Sequence, residues 1–390
     1  MMAINRLIRA VLVLSTSVAN MNIHAHGSGA LQAGPLSVAP VLAKASALLP
    51  AQTLQTPYGD FIIHEQVLLQ LLQSPMMERI KKVQQYGVDY YVRSNQHSYT
   101  RYDHCVGVFV LLRRYGASQN QQIAGLLHDA SHTVFSHVGD YLFKRSPLGD
   151  AYQDDIHEWY LKQWGIDTLL ATYGIDLQAA LAKNTAYTAL ELPLPDLCAD
   201  RIEYNLRAGL LTGMIKQEEV PAILNHLHFE HDTWFFTDAT LAQKLADVSL
   251  DHTMWQWGGP DCHAIGTRAA HVLRLAVDAN MLSFNDIHFS DDQTVWNTLV
   301  TCKEPSVQQG VHELMQAQQS YDICPDLAHA DLIVKTKFRG IDPLIKTQKG
   351  LERLSLVAAD FGARYHTIQG LVTCGWPITW RTATHHEQGS

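Results

Sequence analysis

Apolar residues follow a helical spacing along most of the chain. Val67, Leu68, Leu71 and Leu72 lie on one face of a predicted helix, and Pro75 ends this run. The same spacing predicts further helices at 104–115, 121–128, 155–164, 196–211, 269–282 and 293–300. The pattern therefore indicates a mainly α-helical protein.

Three segments interrupt this helical pattern. Residues 90–92 are predicted to form a short extended piece. Residues 332–338 and 365–371 alternate in polarity or carry β-branched side chains, which favours strands. The sequence has no repeat of fixed period and no long low-complexity tract. We therefore expect a large helical part followed by a small mixed C-terminal part, which begins near residue 261.

The N-terminus has the pattern of an export signal. Two arginines precede a short apolar run at 10–19, and Ala19 and Ala25 provide cleavage positions. We predict a signal peptide at 1–25, with an uncleaved anchor as the alternative, and a linker at 26–50. The run is too short for a standard transmembrane helix, so we expect no membrane span after processing. The protein would then be periplasmic or secreted, or cytoplasmic if the signal is not used.

The composition is that of a folded protein with one large domain or two ordinary ones. Of the 390 residues, 47% are hydrophobic, which is enough for a full core and excludes a disordered chain. The formal net charge of −9 argues against stable nucleic-acid binding, because that needs a basic face. A local basic pocket could still hold a nucleotide.

The six cysteines show no metal-binding spacing. Cys302 and Cys324 could form a disulfide if the protein is exported, because the compartment outside the cytoplasm is oxidising. Cys105 and Cys198 lie in apolar helical runs, so we expect both to be buried thiols.

Histidines and aspartates are concentrated in the segment 126–142 (LLHDASHTVFSHVGDYL). On a helix, His128 and His132 would share one face, and Asp129 would add a carboxylate beside them. Imidazole and carboxylate groups suit divalent Mn, Fe, Co, Ni, Zn or Mg ions, and the sequence does not choose among these. Burying so many polar groups on an apolar helix would be costly without such a partner.

A metal site needs ligands beyond this segment. His104 in RYDHCVGV is the upstream candidate and Asp200 in CADRIEY is the downstream candidate, with Asp196 competing for the last position. A metal ion held in this way polarises a phosphoryl oxygen and lowers the pKa of bound water. The residues themselves therefore predict a metal centre suited to the hydrolysis of a phosphate ester.

Five motifs together resemble the HD-domain phosphohydrolases. The similarity is to the branch that contains the SAM-and-HD-domain deoxynucleoside triphosphate triphosphohydrolase and the bacterial dGTPase-like proteins. The motifs are ERIKKVQQYGVDYYV at 78–92, SYTRYDHCVGV at 98–108, LLHDASHTVFSHVGDYLF at 126–143, IHE at 156–158 and DRIEY at 200–204. The resemblance implies an all-α HD domain at 51–260 with a small α+β C-terminal extension at 261–390.

The resemblance also implies a role for each matching residue. The implied metal ligands are His104, His128, Asp129 and Asp200. The implied catalytic residues are His157, as general acid or nucleophile, and Asp140, which would orient His157. The implied substrate contacts are Arg101, His132, His137 and Arg201 for phosphate groups, and Tyr204 and Gln85 for the sugar. Arg268 matches a further phosphate-binding arginine only loosely.

Two departures from the family pattern concern specificity. The segment 57–60 (PYGD) replaces the family's DPxHG-like opening, which helps to form a regulatory nucleotide site. Ala208 stands where the triphosphohydrolase has a sugar-contacting aspartate. The resemblance therefore does not carry over nucleotide activation or discrimination for deoxyribose.

These features predict metal-dependent hydrolysis of a nucleotide phosphate ester. The leading substrate is a (deoxy)nucleoside triphosphate that releases triphosphate. The alternatives are a nucleotidase or phosphodiesterase that acts on another phosphoester, and a non-catalytic nucleotide-binding HD protein. The GYP-type motif of related cyclic-dinucleotide hydrolases is absent from the sequence. The resemblance also implies a homo-oligomer.

Overall fold

The computed structural model describes residues 48–93, 98–143, 152–183, 185–324 and 327–381. The predicted signal peptide at 1–25 lies outside the described residues, as does most of the predicted linker at 26–50. No helix in the described ranges combines the length and the apolar character that a membrane crossing requires.

The described part of the chain is mainly helical. Its α-helices are α1 (Gln66–Leu72), α2 (Pro75–Ile80), α3 (Asp89–Val92), α4 (Arg101–Arg114), α5 (Gln119–Leu127), α6 (Val138–Leu142), α7 (Tyr152–Gln163), α8 (Ile166–Ala171), α9 (Ala199–Thr212), α10 (Val220–His226), α11 (Ala239–Trp255), α12 (Pro260–Asp278), α13 (Phe284–Phe289), α14 (Asp292–Thr301), α15 (Pro305–Met315), α16 (Leu354–Val357) and α17 (Ala359–Cys374). Short 3-10 helices lie at Leu177–Ala180, Gln217–Glu219, Ala317–Gln319 and Leu327–His329.

Small sheets accompany the helices. The strands are β1 (Gln52–Thr56), β2 (Gly59–Ile63), β3 (Leu227–Glu230), β4 (Thr233–Phe236), β5 (Tyr321–Ile323), β6 (Leu332–Val334), β7 (Leu344–Thr347), β8 (Gly350–Arg353) and β9 (Trp376–Trp380). β1 and β2 form an antiparallel hairpin. The other sheets have the strand orders β3-β4-β7-β8, in which only β4 and β7 are parallel, and β5-β9-β6, which is antiparallel.

Two hairpins therefore lie inside the region that was predicted to be all-α. In the second hairpin, His231 and Asp232 both have positive φ angles, of 49° and 60°, as a two-residue turn between antiparallel strands requires. The aromatic run Trp234, Phe235 and Phe236 is buried in β4. The all-α prediction for 51–260 is wrong on this point. The turn between β3 and β4 lacks the glycine that usually identifies a hairpin in a sequence, whereas the turn between β1 and β2 has Gly59 with a positive φ angle.

Contacts cross the predicted domain boundary near residue 260. β4 pairs with β7 through Phe235 opposite Leu344, which joins strands from both sides of that boundary. α12 also packs closely on α6, since a Cβ added at Gly266 would lie 2.5 Å from the ring of Tyr141. The division into two parts remains a prediction, and the site described below lies beside these contacts.

Local capping signals explain where the central helices begin. Thr100 and Asp103 form a capping box at the start of α4, in which each side chain accepts a hydrogen bond from the other residue's backbone N–H. Pro75 ends α1 as predicted, but it also occupies the first turn of α2, where Ser74 caps the helix. The predicted helix at 269–282 begins earlier, at Pro260, and ends at Asp278.

Three extended segments were predicted incorrectly, in full or in part. Residues 90–92 belong to α3, and residues 365–371 lie within α17. Phe361, Tyr365 and Val372 are buried along one face of α17, so their spacing is helical despite the β-branched neighbours. Of the predicted strand at 332–338, only the first part forms β6.

Of the two predictions about the cysteines, one is confirmed and one is wrong. Cys105 and Cys198 are buried thiols, as predicted. Cys302 is a free thiol, so the predicted disulfide with Cys324 is wrong. Cys302 packs instead with the apolar residues around α12, including Val272 and Leu299.

The hydrophobic core beneath the site can be tested at Leu68, which is fully buried in α1. Leu68→Ala should lower the free energy of unfolding by about 2–5 kcal/mol, because it removes buried apolar contacts and leaves a cavity. Leu356→Ala is the control, since Leu356 is 77% exposed, and it should change stability by less than about 0.5 kcal/mol. Denaturant unfolding measures both. Equal losses would contradict this core assignment.

Candidate metal centre

Three helix ends bring the predicted ligands together. His104 lies in the first turn of α4, and Asp200 lies in the first turn of α9. His128 is the residue that ends α5, and Asp129 follows it directly. α4 packs against both α5 and α9, so all of these side chains reach one buried pocket.

The segment that follows His128 is not helical, contrary to the sequence prediction. Phe135 and Ser136 have φ angles of 59° and 55°, which interrupt any helix. The backbone N–H of Phe135 donates to Asp292 at 2.7 Å, and that of Val134 donates to the carbonyl of Ile287 at 2.9 Å. These long-range hydrogen bonds replace the helical ones.

The candidate ligand atoms lie within a few ångströms of one another. His104 Nε2 is 3.2 Å from His128 Nε2 and 2.9 Å from Asp200 Oδ1. His128 Nε2 is 3.6 Å from the same oxygen of Asp200. Asp129 Oδ2 lies 3.6 Å from His104 Nε2, and Asp129 Oδ1 lies 3.6 Å from His128 Nε2. His104, His128 and Asp200 therefore surround one point, and Asp129 lies beside the two histidines.

The hydrogen bonds of both histidines fit a metal ion. His128 Nδ1 donates to the carbonyl oxygen of Gly125 at 2.8 Å, and His104 Nδ1 donates to the carboxylate of Glu203. A neutral histidine that donates through Nδ1 presents a lone pair at Nε2. Two such lone pairs 3.2 Å apart repel each other, and either protons at Nε2 or a metal cation bound by both nitrogens removes that repulsion. This donor set of imidazole and carboxylate suits a divalent metal ion.

The charges around the histidines have the sign that holds a cation. Burial alone would lower the pKa of His104, but the charge of Glu203 and the hydrogen bonds to Asp200 and Glu203 raise it to about 9. His128 also has a raised pKa, because the charge of Asp129 outweighs burial. The hydrogen bonds from both histidines hold the pKa of Asp200 well below its ordinary value, against the effect of burial. A bound divalent ion would replace the protons on His104 and His128 and neutralise the same carboxylates.

A second group of possible ligands shares Asp200 with this cluster. It consists of Glu191, Cys198 and Asp200. Burial, followed by the charge of Glu191, raises the pKa of Cys198 well above its ordinary value, so forming its thiolate costs free energy at this position. Because metals bind the thiolate form, His104 and His128 are the better partners for Asp200.

Arg101 lies at the site but faces Asp129 rather than open space. Its Nη1 donates to the carboxylate of Asp129, and its Nε donates to Ser136 Oγ at 3.0 Å. Its Nη2 donates to the carbonyl of Gln85 at 3.3 Å. Arg101 is buried, so in this conformation it orients a metal ligand, and its predicted contact with phosphate remains a prediction.

The predicted catalytic pair is not in contact. Asp140 accepts hydrogen bonds from His137 Nδ1 at 2.9 Å and from the backbone N–H of Tyr152 at 2.7 Å. His157 Nδ1 instead lies 2.9 Å from Ser131 Oγ. The sequence prediction that Asp140 orients His157 is therefore corrected, and Ser131 takes that place.

Three further residues predicted to bind substrate surround the cluster. His132 Nε2 lies 3.4 Å from Asp129, and burial followed by the charge of Arg101 lowers its pKa to about 3. Arg201 donates to the carbonyl of Asp196 at 2.9 Å and to the carboxylate of Glu191 at 3.3 Å. Tyr204 packs edge-on against Trp257, at 5.4 Å between ring centroids.

Two alternatives raised by the sequence lie outside the cluster. Asp196, the competitor of Asp200, pairs with Arg353 at 2.6 Å instead of joining the histidines. Arg268 lies over the ring of Trp380, at 5.6 Å from its centroid, in the C-terminal sheet. Asp200 is therefore the aspartate that completes the ligand set.

Comparisons with known proteins place the chain among its relatives. No family model matches it. The chain is 31% identical to the uncharacterized protein YdhJ of Bacillus subtilis over 289 residues, which cover 74% of the chain and 86% of that protein. The chain belongs to the YdhJ family. It is also 28% identical to the metal-dependent phosphohydrolase cns2 of Cordyceps militaris, over 78% of the chain and 88% of that protein.

Solved structures share the fold at low sequence identity. A hypothetical protein from Aquifex aeolicus superposes with a TM-score of 0.62 at 15% identity, covering 80% of this chain and 94% of that chain. A phosphohydrolase from Bacteroides thetaiotaomicron superposes with a TM-score of 0.55 at 13% identity, covering 79% and 95%. The mainly helical YdhJ-family fold is thus compatible with that of a phosphohydrolase, and the dGTPase-like branch remains a prediction.

Glu203 is the site residue that the sequence analysis missed. It is fully buried and accepts hydrogen bonds from His104 Nδ1, from Tyr58 Oη at 2.8 Å and from Arg207 Nε at 3.0 Å. Against the effect of burial, Arg207 and His104 hold the pKa of Glu203 below its ordinary value. Its position in DRIEY could have identified it in the sequence. Glu203 follows Asp200 by three residues, so on a helix this charged residue faces the core beside Asp200.

A glycine on α4 makes room for this carboxylate, and that can be tested. A Cβ added at Gly107 would lie 2.3 Å from Glu203 Oε1. Gly107→Ala should displace Glu203 from His104 and weaken metal affinity by about 10–100-fold, as loss of a residue that orients a ligand does. Titration of metal-free protein with Mn²⁺ measures this affinity.

The matched control is another glycine within a helix. Gly370 lies in α17 and has no atom within 4 Å of an added Cβ. Gly370→Ala should leave metal affinity unchanged and stabilise the helix by about 1 kcal/mol. Unchanged affinity in Gly107→Ala would show that Glu203 does not orient His104.

Proposed function

We propose that this protein is a metal-dependent phosphohydrolase that acts on a nucleotide. The observation that carries the proposal is the buried cluster of His104, His128 and Asp200, whose ligand atoms lie within 4.8 Å of one another. Its likeness to the metal-dependent phosphohydrolase cns2 supports the same reaction class.

The proposed cofactor is one divalent metal ion. His104 and His128 would hold it through Nε2, and Asp129 and Asp200 would hold it through carboxylate oxygens. Such an ion polarises a phosphoryl oxygen and lowers the pKa of bound water to near neutrality. Arg101 holds Asp129 in place, and Glu203 holds His104. The identity of the metal is not part of the proposal.

His157 is the proposed proton carrier. Ser131 Oγ donates to the carbonyl of Gln153 at 3.0 Å, so the hydrogen bond between His157 and Ser131 is assigned as Nδ1–H donating to Oγ. His157 Nε2 is buried and has no hydrogen-bond partner among the described residues. Burial, followed by the charge of His128, lowers the pKa of His157 to about 4, so the ring is neutral near pH 7. Nε2 can therefore accept a proton from attacking water and then donate it to the leaving oxygen.

A cationic segment supports a substrate with several phosphate groups. The chain between β6 and β7 is anchored at two points. Thr336 Oγ1 donates to the carbonyl of Gly258, just before α12, at 2.6 Å, and Asp342 N–H donates to that of Pro195, shortly before α9, at 3.1 Å. Lys337 and Arg339 lie between these two anchors. Neither forms an ion pair in the part of the chain that the structure describes. In this proposal they neutralise phosphate charge together with Arg201 and His137.

The proposed reaction is therefore hydrolysis of a (deoxy)nucleoside triphosphate with release of triphosphate. Water would attack the α-phosphorus and break its bond to the nucleoside oxygen, which takes up a proton, so that the products are nucleoside and triphosphate. Breakage of the bond to the bridging oxygen would instead give nucleoside monophosphate and pyrophosphate, and those products would contradict the proposed route. A monophosphate or a phosphodiester substrate would use the same metal centre and proton carrier with fewer cationic contacts.

A substrate panel tests the proposal. Purified protein from residue 26 onward is assayed against dNTPs, NTPs, NMPs and a chromogenic phosphodiester, with Mn²⁺, Mg²⁺ or Ni²⁺ or with EDTA. His128→Ala should lower turnover at least about 100-fold, because it removes a ligand rather than a residue that orients one. His157→Ala should keep the metal and lower turnover by about 100–10,000-fold.

The control variant is His312→Ala, since His312 is exposed on α15. It should match the wild type. Free phosphate from monophosphates, or cleavage of the diester alone, would keep the metal chemistry and change the substrate. Full activity in EDTA or in His128→Ala would contradict the mechanism. Bound metal with no turnover of any substrate would favour a non-catalytic nucleotide-binding protein.

A further inference from the structure

A polar cavity of about 450 Å³ lies near the far end of α9 from the metal centre. Such a volume is ordinary for a small-molecule site. The residues that line it include Tyr86, Asp89, Tyr90, Arg93, His252 and Gln256. None of these residues belongs to the predicted site.

The cavity lies on the same side of α9 as the metal ligand. Leu211, which also lines the cavity, follows Asp200 by eleven residues on one helix. Since each residue turns an α-helix by about 100° and advances it by about 1.5 Å, Leu211 lies roughly 16 Å along the axis and within about 20° of Asp200. Tyr204 lies between them, and its ring neighbour Trp257 is 4.9 Å from the His252 ring. Tyr204 and Trp257 thus link the helix that carries Asp200 to the cavity-lining residue His252 through ring contacts.

Buried polar atoms at the cavity lack partners. Tyr86 Oη and Arg93 Nη2 are buried and have no hydrogen-bond partner among the described residues. Asp89 forms an ion pair with Arg93, whose Nε lies 3.0 Å away without hydrogen-bond geometry, and accepts a hydrogen bond from Gln256 Nε2 at 3.2 Å. Buried donors without partners are rare in folded proteins, so these groups point to a polar ligand.

The charges at the cavity exclude a phosphate group as that ligand. Arg93 pairs with Asp89 and also lies 3.7 Å from Asp261, so two carboxylates balance one guanidinium. An anion would be repelled, whereas a neutral heterocycle with donors and acceptors can bond to Tyr86, Arg93 and Asp89 together. The rings of Tyr86 and Tyr90 add flat apolar surface.

We propose that this cavity binds the base of the nucleotide substrate and determines base specificity. The inference rests on the proposed function, because it places the phosphate ester at the metal centre. Asp89, Arg93 and Tyr86 bond to the edge of the base, while the metal centre holds the phosphate. The cavity makes no contact with a phosphoester that lacks a base.

The test is Tyr86→Phe, which removes only the hydroxyl group. Because that hydroxyl has no partner in the protein, the variant should unfold at or above the wild-type temperature. It should raise KM for the preferred nucleotide by about 5–10-fold, as the loss of one hydrogen bond does, and leave kcat little changed. Turnover of the chromogenic phosphodiester should not change. Tyr173→Phe is the matched control, since Tyr173 lies on the exposed surface.

A binding experiment in EDTA separates this inference from the proposed function. Equilibrium binding of dNTPs and NMPs to metal-free protein should weaken by the same factor in Tyr86→Phe, whether or not the protein hydrolyses them. Equal binding and equal KM in variant and wild type would overturn the inference. Cleavage of the diester by a wild-type protein that binds no nucleotide would also overturn it while the metal chemistry stands. Inactivity toward every substrate with metal would instead contradict the proposed function, and the binding comparison would still decide the inference.

Discussion

The site depends on two imidazole nitrogens that face each other in a buried pocket. His104 and His128 bring their Nε2 atoms to 3.2 Å, while each Nδ1 is committed to a hydrogen bond with Glu203 or with the carbonyl of Gly125. That arrangement is unfavourable for two neutral rings and favourable around a cation. Because the histidines come from α4 and the end of α5, the packing of these helices fixes the geometry of the centre.

Paired charges make this buried centre stable. Arg101 neutralises Asp129, and Arg207 neutralises Glu203, so two of the carboxylates in the pocket have a guanidinium partner. A buried charge is costly without a partner, which explains why the network extends past the ligands to Tyr58 in the turn between β1 and β2. The segment 57–60 (PYGD) thereby supports the candidate metal centre, because Tyr58 donates a hydrogen bond to Glu203.

Local signals made the ligands predictable from the sequence, whereas distant contacts did not. The capping box at Thr100 and Asp103 places His104 in the first turn of α4, and the position of Asp200 at the start of α9 follows in the same way. The segment after His128 was predicted as helix because its turn depends on a hydrogen bond from Phe135 to Asp292, far along the chain. The hydrogen bond from His137 to Asp140 was not predicted either. Neighbouring sequence motifs do not show which histidine donates to which carboxylate. The two unpredicted hairpins and the strand that was wrongly predicted at 365–371 show the limit of periodicity, because β-branched residues occur in both helices and strands.

Anomalous diffraction from crystals of the purified protein grown with Mn²⁺ is the most direct test of the central claim. A single peak within about 2.0–2.3 Å of His104 Nε2 and His128 Nε2, with carboxylate oxygens of Asp129 and Asp200 as further ligands, is the result that the account predicts. A peak elsewhere, or none at saturating Mn²⁺ while the two histidines keep their contact, would contradict the account.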